Sequence, residues 1–232
     1  MTRLLVHVEG QTEETFVNEV LASHLHGVGY TQVSARLLGK ARQRDHRGGI
    51  RSWAAVRQDI VNHLTEDRGC LATTMVEYYA LPSSGPGAWP GRHNASRVPT
   101  PQKPLLVEKA LAGDIGRRMG VGFDGRRFVP FVVLHEFEGL LFSDCHRFAA
   151  GIERPDLAAS FQQIRDQFAN PEEINDSPQT APSKRVLQLV PGYQKPLLGA
   201  LAAIEIGLEP IRAACPHFRA WLGRLEAWPL GA

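Results

Sequence analysis

Cysteine is scarce in this chain of 232 residues: Cys70, Cys145 and Cys215 are odd in number, far apart and without C-x-x-C spacing. That pattern excludes a disulfide framework and a zinc knuckle, and the three read as reduced packing residues. Apolar runs are short, none approaching the roughly 20 residues that cross a bilayer. The opening Met1 to Gly10 turns acidic at Glu9 before the core of a signal peptide could be completed. A soluble, cytoplasmic protein with no membrane partner is expected. A dominant charge sign is missing too: 26 Lys and Arg face 24 Asp and Glu, a formal net charge of +2. The whole-molecule field therefore neither demands nor forbids a polyanionic partner, and local clusters must decide. No Gly-Lys-Ser/Thr phosphate loop occurs, which removes ATPase chemistry of the P-loop kind.

What is present is enough apolar material for one sizeable core, 43% of residues. Leu4, Leu5, Val6 and Val8 form a nearly continuous apolar run ended by Glu9-Gly10, as in a central parallel strand covered on both faces. Phe16, Val17, Val20, Leu21 and Leu25 then recur at helical spacing, with Thr12 as the expected N-cap. Val33 to Leu38 predicts a second strand, Trp53 to Leu64 a helix, Leu71 to Leu81 a third strand, Leu105 to Met119 a helix and Phe128 to Leu134 a further strand. This alternation predicts an α/β fold with a mostly parallel sheet flanked by helices. Pro82 to Pro104 reads as an irregular surface loop. Beyond Asp156 only short helices separated by Pro and Gly are expected. The economical division is an α/β core over 1–150 and a helical C-terminal portion over 151–232 packed on it.

Two tempting motifs fail on context. Gly120-Val121-Gly122-Phe123-Asp124-Gly125 satisfies G-x-G-x-x-G but follows a helix and precedes a strand, the reverse of a dinucleotide site, so it reads as a helix-ending turn. His135-Glu136 begins like H-E-x-x-H, but Gly139 stands at the second histidine position.

The carboxylates are more informative, because each lies where a strand should end. Ligands bind open α/β sheets outside the carboxyl ends of the strands, so Glu9, Glu77 and the Glu136/Glu138 pair are expected to converge on one crevice. Oxygen-rich convergence suits Mg2+ or Mn2+, ions that support phosphodiester hydrolysis. Glu13, four residues after Glu9, points back toward the same strand end if a helix begins near Thr12; alternatively it only complements the helix dipole. On an extended strand Glu77 and Tyr79 share one face, as do Glu136 and Glu138.

Four ordered motifs carry a resemblance: Val8-Glu9-Gly10-Gln11-Thr12-Glu13-Glu14; Thr73 to Pro82; His135-Glu136-Phe137-Glu138-Gly139-Leu140-Leu141-Phe142; and Ile174-Asn175-Asp176 through Ala181-Pro182-Ser183-Lys184-Arg185. Together with Cys215-Pro216-His217-Phe218 they resemble a bacterial toprim-like family catalogued as domain of unknown function 4276, over nearly the whole chain. That family is similar in its acidic motifs to OLD-family nucleases. The resemblance implies a toprim-like fold and metal ligation by Glu9, Glu13 and Glu77. It also implies a charge-stabilising role for Lys184, an ATPase partner encoded nearby and a role in defence against phage. Glu77 matches the first acid of the family's later motif, but Tyr79 replaces the second, so Glu136 or Glu138 would have to substitute. Asn175, Asp176 and His135 are expected around the ligands rather than among them.

The basic stretch with Lys40, Arg42, Arg44, Arg47 and Arg51 is the expected contact to a nucleic-acid backbone, with Arg92, His93 and Arg97 as helpers. The reading is a divalent-metal-dependent nuclease or nicking enzyme acting on DNA or RNA. Two rivals stay open: a catalytically silent module that binds nucleic acid or regulates an ATPase partner, and a small-molecule phosphohydrolase using the same site.

Overall fold

The computed structural model describes residues 2–38, 50–175 and 179–229. The first apolar run becomes β1 (Arg3–Val8), paired on one side with β2 (Gln32–Leu37) and on the other with β3 (Cys70–Glu77). Two short strands, β4 (Phe128–Val129) and β5 (Val132–Val133), lie against the far side of β3. Every pairing is parallel and the order is β2-β1-β3-β4, with β5 continuing beside β3. All eight residues of β3 are buried, as expected of a parallel strand sandwiched between helices.

The core is split by the sheet. On one face Leu4, Val6, Val8, Leu71, Met75 and Phe131 pack with Phe16, Leu21 and Leu25 of the helical run 11–27 and with later residues such as Phe148, Phe161, Phe218 and Trp221. On the other face Ala72, Val76 and Val132 pack with the helices Trp53–Glu66 and Lys103–Met119. Beyond Asp156 the described residues hold helices and turns but no strand, and among them no helix is long and apolar enough to cross a membrane. The α/β class with a mostly parallel sheet and a helical C-terminal portion is thus as the alternation predicts.

Several local expectations are corrected. The strand expected over Phe128 to Leu134 breaks in two at Pro130-Phe131, because Pro130 has no N–H for the ladder. The Thr74 hydroxyl takes over there: it donates to the Phe131 carbonyl at 3.0 Å and accepts the Phe131 N–H at 3.1 Å. One residue earlier the Thr73 hydroxyl donates to the Val129 carbonyl and accepts the indole N–H of Trp221 at 2.9 Å. The third strand stops at Glu77 and passes into a single tight helical turn, Tyr78–Ala80, so Glu77 and Tyr79 do not share a strand face. Glu138 opens the short helix Glu138–Leu141, so it does not alternate with Glu136 along a strand either. The first helix is capped at Gly10, not Thr12. The stretch 82–104 is more ordered than expected: Trp89 is buried with its ring 5.1 Å from that of Trp53, and Arg92–Ala95 forms a helical turn.

Thr74→Val keeps the side chain's shape but strands two buried backbone groups of Phe131. It should cost about 2 kcal/mol, or roughly 4–8 °C in Tm for a chain of this size, measured by chemical and thermal unfolding. Thr74→Ser, which keeps the hydroxyl, should lose less.

Candidate active site

The parallel strands deliver carboxylates to one edge. Glu9 follows the last residue of β1, Glu77 ends β3, and Glu136 and Glu138 follow β5. Four of the five carboxylates are held by a backbone N–H. Gly10 donates to Glu13 Oε2 at 3.1 Å and Glu77 to Glu9 Oε2 at 3.3 Å. Phe137 donates to Glu77 Oε1 at 2.7 Å, and Ser183, at the start of the helix Pro182–Leu189, donates to Glu136 Oε2 at 2.8 Å. Glu13 therefore does more than face a helix dipole: it turns back onto Gly10, the reciprocal half of a capping box. Glu138 is fully buried; among the described residues no backbone N–H reaches it and its Oε1 accepts no hydrogen bond.

A residue that sequence reading missed sits at the centre. Lys195 places Nζ 2.5 Å from Glu77 Oε1 and 2.9 Å from Glu138 Oε2. The Thr12 hydroxyl ties its backbone carbonyl to the first helical turn at 3.3 Å. Burial opposes the ammonium charge, but Glu138, Glu77 and Glu13 outweigh it and hold the lysine pKa well above the ordinary value. Burial, with repulsion from Glu77, lifts Glu9 and Glu13 to about 7. Burial lifts Glu138 to about 8, opposed by Lys195. Tyr193 is buried beside this group, its hydroxyl has no hydrogen-bond partner among the described residues, and burial together with Glu138 raises its pKa as well.

Other expected residues fall variously. Lys184 is exposed on the helix Pro182–Leu189, and the ammonium among the carboxylates is that of Lys195 instead. His135 is buried, with its pKa held down to about 4 by burial and by Lys103. Its ring lies 5.2 Å from that of Tyr79, and the Asn175 side-chain amide reaches both the Tyr79 hydroxyl and, at 3.5 Å, His135 Nδ1. Arg51 pairs with Asp59 at 3.1 Å, while Lys40, Arg42, Arg44, Arg47 and Asp176 lie outside the described residues. Arg92 donates to the Tyr78 carbonyl at 3.1 Å and to its hydroxyl at 2.9 Å, with its guanidinium 3.8 Å from the ring centre. His93 and Arg97 are exposed.

The carboxylates converge without closing on a common point. Among the described residues no three His, Cys, Asp or Glu side chains are grouped as a ready metal-ion site. Lys195 draws oxygens of Glu77 and Glu138 onto its ammonium. The donor chemistry itself, five carboxylates with an unpartnered buried oxygen on Glu138, suits a hard divalent cation.

The sequence model of the family described as "Domain of unknown function (DUF4276)" matches residues 8–226, and the chain belongs to that family. This agrees with the resemblance carried by the four ordered motifs. Among solved structures the chain is similar to the C-terminal region of the OLD protein of Xanthomonas campestris pv. campestris, with 13% identity and a TM-score of 0.46 over 99% of this chain and 97% of that one. No curated protein matches.

The raised carboxyl pKa values make a stability prediction. The fold favours the protonated form of Glu13, so its contribution is present below the unfolded pKa near 4.5 and is lost as pH rises through about 7. In EDTA the protein should lose stability between about pH 5 and about pH 8. Glu13→Gln still accepts the Gly10 N–H without the charge, so it should gain roughly 1–3 kcal/mol relative to wild type at the upper end and less at the lower. Melting temperatures across that range check both.

Proposed function

We propose that this member of the DUF4276 family is a divalent-metal-dependent nuclease or nicking enzyme. Its carboxylates Glu9, Glu13, Glu77, Glu136 and Glu138 would hold Mg2+ or Mn2+ at the edge of a toprim-like sheet. The observation that carries the reading is the charge arrangement: four carboxylates at or just beyond the carboxyl ends of parallel strands and a fifth, Glu13, in the first helical turn, with the ammonium of Lys195 paired to Glu77 and Glu138. Structural needs alone do not favour such a group, since burying like charges costs free energy that a divalent cation would offset.

The bound cation would supply neutralisation of phosphate charge and activation of water. The chain's own residues supply the remainder. Backbone N–H groups of Gly10, Glu77, Phe137 and Ser183 each hold one oxygen of four carboxylates, and Glu77 and Glu138 would turn from Lys195 to meet the ion. Lys195 keeps its proton and places a fixed positive charge beside them, suited to stabilising charge that develops on a phosphate. Lys184, one residue from the Ser183 that orients Glu136, is the alternative lysine.

One observation favours a second reading, the catalytically silent module: Lys195 already partners Glu77 and Glu138 and can serve as a built-in counter-ion. Glu9→Gln separates the two. The nuclease reading expects manganese to raise the wild-type Tm and to support cleavage of labelled single- or double-stranded DNA or RNA, with EDTA removing both. It expects the variant to keep its fold while losing the manganese-induced shift and cleavage by roughly two orders of magnitude or more. Wild type with neither shift nor cleavage supports the silent module. Cleavage that appears only with an ATPase partner preserves the chemistry and removes autonomy, and cleavage of small phosphodiesters alone favours a phosphohydrolase.

A further inference from the structure

Beside the carboxylates lies a group that metal ligation does not use. Tyr79 leaves β3 in the tight turn Tyr78–Ala80, two residues after Glu77, and is 39% exposed. Its position is nonetheless fixed. The ring lies against His135 at 5.2 Å with the planes inclined by 34°, and the Asn175 amide holds its hydroxyl. Glu136 is near enough for its charge to act on the phenol. Tyr78, next in the turn, has its ring centre 6.1 Å away and is covered by the Arg92 guanidinium. An exposed ring clamped at its face and at its tip loses little freedom when a flat partner stacks on it. The nearby Arg92 adds a cation of the kind that contacts phosphate.

We propose that Tyr79, held by His135 and Asn175 at the rim of the carboxylate cluster, is a stacking platform for an unpaired nucleobase. The substrate is then a single-stranded or frayed segment of nucleic acid rather than an intact duplex. This rests on the nucleic-acid reading above and narrows its substrate class. In a paired, stacked duplex the base faces are covered, whereas every unpaired base offers one, and stacking on an aromatic residue tolerates sequence variation.

The test is equilibrium binding, which needs no catalysis. The full chain is mixed with fluorescein-labelled probes in calcium and in EDTA. The probes are a short single strand, the same strand as a duplex, and the same strand with abasic sugars. Wild type should bind the single strand more tightly than the duplex or the abasic strand. Tyr79→Ala should weaken single-strand binding by roughly tenfold and leave the abasic strand unchanged, while Tyr79→Phe, which keeps the ring but loses the hydroxyl, should bind nearly as wild type. Equal loss on the base-bearing and abasic strands, or no loss at all, overturns the platform while leaving the nuclease reading intact. Loss in Tyr79→Phe equal to that in Tyr79→Ala also overturns it, since the hydroxyl rather than the face would then matter. A folded wild type that binds none of the probes overturns the nucleic-acid reading and this proposal with it.

Discussion

Carboxylates gathered at a poorly solvated edge must be protonated, hydrogen-bonded or matched by a cation, and much of this molecule is arranged around that requirement. Parallel pairing brings the ends of β1, β3 and β5 together, so the acids that follow them cannot separate. Backbone N–H groups answer four of the five, one each. Glu138 has no such donor and faces Lys195. Removing the lysine would leave Glu138 buried and uncompensated, a far larger penalty than losing a surface ion pair.

The same requirement explains why distant segments meet there. Lys195 arrives from a helical turn that begins 118 residues after Glu77 in the chain, and Ser183 from the helix before it. The C-terminal portion is therefore part of the site and not only a support for it. The rim adds Tyr79 and His135, from the same segments as Glu77 and Glu136, and Asn175 from a later one. Acid floor, central ammonium and aromatic rim are assembled from segments far apart in the sequence.

That geometry marks what could be read from sequence. β1 was legible because a strand covered on both faces must be continuously apolar, and Glu9-Gly10 ends the run abruptly. The third strand was legible from its β-branched and aromatic residues, but it was expected to run on to Leu81, past Glu77 where it ends. The break at Pro130 was masked by the apolar residues around it: Phe128 to Leu134 has the composition of one strand, and only a hydroxyl from a neighbouring strand makes the interruption tolerable. Glu136 and Glu138 would share a face only if the strand ran on to them, and a new helix begins at Glu138 instead. Lys195 had no local signal, since Gln194-Lys195-Pro196 resembles any surface turn. Lys184 drew notice through a family motif, yet a lysine's role depends on where its ammonium reaches.

One contact far from the acids bears on how the chain reaches this state. Trp221 donates its indole N–H to Thr73, in the middle of the central strand β3 and 148 residues earlier, while its ring stacks on Phe131 at 4.5 Å. The face of the sheet nearest the helix Pro216–Ala227 is therefore covered only once that helix has docked. During translation β1, β3 and the first helices emerge long before their cover, with an apolar face and a Thr73 hydroxyl still seeking its partner. Closure of that face depends on a contact between residues 148 positions apart, the kind of non-local pairing that slows folding.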